Sequence, residues 1–426
     1  MRQIWYELRH QPVIAAVTVI GTALAIFMIM AVVMLNQADV VSMAPETARD
    51  CYMYVTSVGG EIEDEEYPQS WRGSVGQNMA EDLAGGVAAS VPRTIFGRLE
   101  SPNVARKGQA TFQVDRRPTD AQFFDVYDFT FLAGAPYTDA DVKAQTAKAV
   151  ITESVAREAF QTVDGAIGQT LYVSDVPHTV VGVVADVSPI ARYAYAQVWS
   201  PLEPREATVK GLSYGVGPYT LAFKAANPSL HKAIAEAVSA KLDSVNAVRR
   251  AVNENYRIIG GAHSNEVDVV MGDNGEEPDM AKAARDRWAL YALLLIVPAI
   301  NLSTMTQSRL RRRISEIGVR RAFGATRWNI VWSILGENFV VTLVGGAIGV
   351  AFSFIFGAML FDSIYSVSQW AQFKMPSLLN SDVLFDWTTF AYALLFCFLL
   401  NLVSTGVPAW RASRVAPTDA INSHAK

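Results

Sequence analysis

Long apolar runs in this chain flank one extended stretch of mixed character. Residues 13–35 carry no charged side chain over 23 positions, and a helix rising 1.5 Å per residue needs roughly that length to cross a bilayer core of about 30 Å. Further apolar runs occupy 288–306, 330–361 and 387–408. The pattern predicts four transmembrane α-helices. No convincing small-residue cleavage site follows Leu35, so the first run reads as a retained signal anchor.

Inside 36–287 the periodicity switches between that of strands and that of helices. Cys51 to Val58 is β-branched and aromatic and predicts a strand, ended by Gly59-Gly60. Thr119-Asp-Ala-Gln122 fits a capping box opening a short helix through Phe123 and Phe124. Ala149 to Thr152 predicts a buried strand leading into a helix over Glu153 to Phe160, with turns at Gly165 and Gly168. Leu171 to Val173 and Thr179 to Val184 read as strands joined by a turn at Asp175 to Pro177. From Ser229 to Asn246, Leu230, Ile234, Val238 and Leu242 recur every four residues, one stripe of an amphipathic helix. Gly260 to Asp279 reads as an exposed loop. The fold class expected is a mixed membrane protein, with a large α+β extracytoplasmic domain inserted between the first two of four transmembrane helices.

Charge orients this arrangement. Of the 13 Lys and Arg outside 36–287, twelve fall on one side and only Lys374 on the other. By the positive-inside rule both termini are cytoplasmic. The expected order is a cytoplasmic N-terminus (1–12), a first helix (13–35), the extracytoplasmic domain (36–287) and a second helix (288–306), extended as a stalk from around residue 280. A cytoplasmic loop (307–329), a third helix (330–361), an extracytoplasmic loop (362–386), a fourth helix (387–408) and a cytoplasmic tail (409–426) complete it. The inserted domain is acidic, 34 Asp and Glu against 23 Lys and Arg, a division hidden in the overall charge of −5. Apolar residues make up 51% of the chain and mean hydropathy is +0.18, between a soluble protein and a pure bundle of spans. Its two cysteines, Cys51 and Cys397, lie on opposite sides of that division, so no intrachain disulfide is expected.

Enzymatic chemistry finds little footing. No GxxxxGK[ST] loop occurs, the five histidines are scattered without metal-ligand spacing, and there is no GxSxG elbow. No catalytic, metal-binding or cofactor-binding residue is expected in this chain. The acidic run Glu61, Glu63, Asp64, Glu65, Glu66 reads as solvated loop, with a cation or a basic partner as the rarer use. The expected spans are more informative. Pro298, Asn301, Ser303 and Thr304 put polar groups and a kink at membrane depth, where another helix should receive them. Gly345, Gly346 and Gly349 make a small-residue face for close helix packing or a dimer interface, or, less commonly, part of a transport path. Glu337 pairs with a loop arginine such as Arg327, or serves as a proton relay.

Between the second and third runs lies Arg309 to Ala325, too basic for hydrocarbon. Its arginines account for topology and for attraction to anionic lipid. Ile317, Val319 and Phe323 are not needed for either, and apolar residues on an otherwise exposed helix imply a docking groove; Gly324 offers the stop.

Here the chain resembles the MacB/FtsX-like permeases of ABC transporters. Glu316-Ile-Gly-Val-Arg-Arg-Ala-Phe-Gly-Ala325, followed by Gly336-Glu337 and Gly345-Gly346-x-x-Gly349, is similar to that family's coupling helix and third span. Phe123-Phe124, Ala133-Gly134, Ala149 to Phe160, Ile167-Gly-Gln169 and Val180 to Asp186 resemble its extracytoplasmic core domain. Pro408 to Pro417 resembles its C-terminal tail. The resemblance implies a two-lobed ectodomain, pairing with a second copy or a sibling permease, and a bacterial inner-membrane location with the large domain in the periplasm. It implies a coupling helix formed by Glu316, Ile317, Gly318, Val319, Arg320, Arg321, Ala322, Phe323 and Gly324. In MacB the nucleotide-binding domain precedes the first span, whereas twelve residues precede position 13 here. ATP and Mg are therefore expected on separate ABC ATPase subunits. The function expected is mechanotransmission for export of a periplasmic substrate. The alternatives are FtsX-like regulation of an extracytoplasmic enzyme and extraction of lipoproteins. A periplasmic or outer-membrane partner and membrane lipid are the other expected contacts, and nucleic acid is not one.

Overall fold

The computed structural model describes residues 42–62, 69–105, 111–203, 214–271, 278–290, 319–320 and 323–365, with shorter helical pieces at 16, 19–24, 26–30, 292–293, 296, 391, 395 and 399. These residues fall into two compact units, one drawing on Ala38–Met280 and Asp362–Leu378 and one drawing on Met1–Gln37, Ala281–Phe361 and Leu379–Lys426. The third apolar run lies in the helix Arg327–Tyr365. Among the described residues no helix is long and apolar enough to cross a membrane. The first, second and fourth runs are described only in pieces, so the count of four spans is not confirmed.

The first of these units, Ala38–Met280, is built on a twelve-stranded sheet. Its strands run in the order His263–Ser264, Tyr52–Val55, Tyr219–Lys224, Arg93–Gly97, Arg116–Thr119, Val198–Pro201, Lys148–Thr152, Val176–Val184, Thr170–Val173, Asn103–Ala105 and Phe112–Gln113, with Phe131–Gly134 also pairing to Val176–Val184. Most neighbours are antiparallel. Arg116–Thr119 and Val198–Pro201 are parallel, as are Lys148–Thr152 and Val176–Val184; such pairs need a long crossover, supplied for the second in part by the helix Glu153–Phe160.

Alternation along these strands sorts side chains between two faces. Tyr52 and Tyr54 enter an aromatic core with Phe96, Phe123, Tyr127 and Trp199, while Met53 and Val55 enter an aliphatic one. Ala222 and Val150 follow the first pair; Leu221, Phe223, Ala149 and Ile151 point the other way. Two helical layers cover that second face. Gln77–Gly86 and His231–Arg249 close one core, and Glu153–Phe160 closes another. The two implied lobes therefore share one unbroken sheet. Each fully buried Phe, Met or Leu contributes about 1.5–3 kcal/mol, which makes the twice-covered sheet the main source of stability.

Several sequence expectations are corrected here. The strand starting near Cys51 breaks after Val55, and Gly59-Gly60 lie inside a new strand, Val58–Ile62, in a three-stranded sheet with Gln69–Gly73 and Glu254–Ile258. Those glycines permit close approach instead of ending the strand: a Cβ on Gly60 would sit 2.3 Å from the Trp71 ring. The helix Phe123–Val126 has no box at Thr119. Asp120 caps it instead, its carboxylate accepting from the Phe123 amide at 3.0 Å, the Ile95 amide at 2.7 Å and the Thr94 hydroxyl at 2.5 Å, while the Thr119 hydroxyl pairs with Tyr137. The hairpin turn is tighter than expected, with Ser174 and Asp175 alone between Val173 and Val176, both at positive φ. In the helix His231–Arg249, Ile234, Val238 and Leu242 are buried but Leu230 lies ahead of it and is exposed. Gly260 to Asp279 is not all loop: a strand at His263–Ser264 and a helix at Asn265–Met271 bury His263, Asp268 and Met271. Glu61 is exposed in the strand Val58–Ile62, and the rest of the acidic run lies outside the described residues.

Replacing Gly60 with Val should lower the stability of the solubilised chain by about 1–3 kcal/mol, because the Trp71 ring must move. Chemical denaturation checks this; a change below a few tenths would show that the ring is not packed there.

Candidate functional site

Three sets of residues bear on function: the end of the basic segment, the glycine face of the long helix, and a buried polar cluster in the ectodomain. In the first, Val319 and Arg320 are helical. The Phe323 amide donates to the Val319 carbonyl at 3.1 Å, the Ala325 amide donates to the Arg320 carbonyl at 3.0 Å, and Gly324 has φ +92°. A five-residue return across a left-handed glycine is the Schellman stop. Asn329 then donates its amide to the Thr326 hydroxyl at 3.2 Å, which starts the helix Arg327–Tyr365. Phe323 is 89% exposed and Val319 45%. Trp328 and Trp332, unremarked in the sequence, are exposed in the first turns of the next helix. Glu316, Ile317, Gly318, Arg321 and Ala322 lie outside the described residues, as do Pro298, Asn301 and Ser303.

Gly345, Gly346 and Gly349 are buried. A Cβ on Gly345 would come within 2.8 Å of Thr22, and one on Gly349 within 2.6 Å of the Ala23 carbonyl oxygen, so the N-terminal helical pieces 19–24 and 26–30 pack directly on this face. Ser353 continues the spacing by another four residues, buried, with its hydroxyl donating to the Gly349 carbonyl at 2.9 Å. Sequence reasoning missed Ser353, although the four-residue interval from Gly345 and Gly349 marks it. Phe27 and Phe356 meet edge to face at 5.2 Å. An apolar groove of about 280 Å³ lies between Val19, Ala23, Phe27, Ile348 and Phe352.

The ectodomain cluster joins residues far apart in sequence. Glu46, fully buried, accepts from the amides of Tyr193 and Ala194 at 2.8 and 2.9 Å and from Arg49 Nε at 2.9 Å. Arg49 also donates to the Ile190 carbonyl. Asp268 accepts from the Tyr193 hydroxyl at 2.5 Å, lies 3.2 Å from His263 Nε2, and is 3.4 Å from Arg192 Nη1. Burial by itself raises the Asp268 pKa; His263, Tyr193 and Arg192 outweigh it and hold the carboxyl below its usual value. Arg117, buried, donates to the carbonyls of Tyr195 and Arg192 at 3.0 Å and of Gly97 at 3.1 Å, and burial lowers its pKa to about 10. Among the described residues no group of His, Cys, Asp and Glu is arranged to hold a metal ion.

Two family models cover these elements. The MacB-like periplasmic core domain matches residues 15–241, and the FtsX-like permease C-terminal model matches 288–417. The chain belongs to the MacB/FtsX-like family of ABC transporter permeases. The macrolide export ATP-binding/permease protein MacB of Burkholderia cenocepacia is 28% identical over 306 residues, 70% of this chain and 40% of that protein. The ABC transporter permease YknZ of Bacillus subtilis is 21% identical over 310 residues, 70% of this chain and 67% of that one. This permease spans about two fifths of the length of several curated relatives that it matches. The periplasmic region of MacB from Actinobacillus actinomycetemcomitans is similar over 48% of this chain and 88% of that one, at 16% identity and a TM-score of 0.31. The α+β unit corresponds to the family's periplasmic core domain.

Replacing Gly349 with Val should cost about 1–3 kcal/mol in thermal unfolding of the detergent-solubilised permease. Gly336→Val, on the same helix with nothing within 4 Å of its Cβ position, is the matched control and should change little. For Asp268 the sign follows from its lowered pKa: the stabilisation is present above the unfolded carboxylate value, about 4, and is lost as pH falls through the lower folded value. The loss of stability between pH 7 and pH 3 should therefore be smaller in Asp268→Asn than in the wild type, read from denaturation at both pH values.

Proposed function

We propose that this chain is the permease subunit of an ABC transporter that carries ATPase-driven motion across the bacterial inner membrane to its periplasmic domain, in the service of export. Four spans hold it there, with both termini and the 307–329 loop in the cytoplasm. ATP and Mg bind to partner ATPase subunits, and the permease works as a pair, with a second copy or a sibling.

The observation that carries this reading is the exposure of Phe323 beside a helix stop. Phe323 is 89% exposed and Val319, Trp328 and Trp332 are exposed close to it in sequence, and apolar exposure grouped in this way marks an interaction surface. Val319 lies one turn earlier, and a groove receiving both would clamp a helix that ends at Gly324 and restarts at Thr326. Only Gly324 to Thr326 separate Phe323 from the long helix Arg327–Tyr365, so displacement at Phe323 reaches that helix through three residues. The packing of residues 19–24 and 26–30 on Gly345 and Gly349 then makes two helices move as one. Export is favoured as the outcome because relatives such as MacB carry it in their names.

Phe323→Asp should weaken docking about thirty-fold, the size of a 2 kcal/mol hot spot, and abolish stimulation of the co-purified ATPase while membrane insertion is unchanged. Stimulation equal to wild type would remove Phe323 from the interface.

A further inference from the structure

We infer that Tyr193 is the joint at which the segment entering the ectodomain and the segment leaving it are fastened together, so that displacement of one is passed to the sheet through the other. This rests on the mechanotransmission reading above, but the joint itself can be tested without it.

The entering segment, 42–51, reaches Tyr193 through the backbone. Glu46 takes the Tyr193 and Ala194 amides, and Arg49, tied to Glu46, takes the Ile190 carbonyl. The leaving segment, 263–271, reaches the same residue through its side chain, with Asp268 on the hydroxyl and His263 and Arg192 completing the carboxylate. The ring between these two attachments stacks on Tyr54 at 4.0 Å, in the strand that pairs with His263. Glu46, Arg49, Tyr193, His263 and Asp268 are all less than 9% exposed.

Position in the chain gives the arrangement its consequence. The first apolar run ends at residue 35, just ahead of the entering segment, and backbone that is helical from residue 280 follows the leaving one. Within the described residues, a pull reaching 42–51 or 263–271 meets buried, charge-assisted bonds. Such bonds hold or break as a set, because a carboxylate left buried without its donors is costly. A set of bonds that breaks together supplies the all-or-none element that a transmitted displacement requires.

Amide hydrogen exchange on the full solubilised chain, without nucleotide or ATPase, tests the joint. Asp268→Asn removes a charge acceptor of the leaving segment only. Exchange should rise about ten-fold not only over 263–271 but also at the Tyr193 and Ala194 amides and over 42–51, with the helices Glu153–Phe160 and His231–Arg249 unchanged. If Asp268→Asn opens those helices as well, Tyr193→Phe, which removes one bond and keeps the ring, is judged by the same pattern. A rise confined to 263–271 overturns the joint. With the co-purified ATPase added, ATP should alter exchange at Tyr193 and Ala194 in the wild type and not in Tyr193→Phe. An ATP response that persists in Tyr193→Phe also overturns it, whereas no ATP response in the wild type defeats the mechanotransmission reading and leaves the first experiment to judge the joint.

Discussion

Two carboxylates withdrawn from water, Glu46 and Asp268, set the terms for the ectodomain. Leaving either without donors would cost several kcal/mol, so the chain must bring them amides, a guanidinium, a phenol and an imidazole. Tyr193, a donor to both, lies 147 residues from Glu46 and 75 from Asp268, and the sheet holds these segments in register. Tyr54 opposite His263 fixes the outbound segment, and Arg117 pins the backbone of 192–195 from the neighbouring strand. The polar cluster thus depends on the sheet for its geometry, while the sheet depends on apolar burial on both faces for its stability.

The helical unit obeys a different constraint. Between helices in lipid there is little hydrophobic driving force, so closeness must come from small residues. Gly345, Gly349 and Ser353 meet that need on one helix, and the pieces 19–24 and 26–30 take up the space that absent side chains leave. Packing, not a polar path, is what these residues do in the structure. Around Gly324 the helix stops and restarts, which leaves Phe323 exposed.

Much of this was legible in the residues. The strand and helix over Lys148 to Phe160 followed from periodicity, because local and tertiary preferences agree there. The stop at Gly324 was legible for the same reason. What misled was context. Gly59-Gly60 read as punctuation because the Trp71 ring that needs Gly60 bare is eleven residues away, and the Arg257 side chain over Gly59 is far more distant in sequence. Asp120, not Thr119, became the helix cap because Thr119 is committed to the sheet and to Tyr137. The stretch after Gly260 read as loop on its glycines and acids, yet Asp268 is buried by partners at 192 and 193 that no local pattern announces. Tyr193 itself carried no signal, since its role exists only once three distant segments meet.

The central claim is that nucleotide turnover at a cytoplasmic partner rearranges the periplasmic unit. Spin labels at exposed Val269, in the leaving segment, and Val176, at the hairpin turn, report it directly in the permease reconstituted with its co-purified ATPase. The account predicts that the distance distribution between them shifts when Mg-ATP is added and returns when it is exhausted. An unchanged distribution while ATP is being hydrolysed would contradict it.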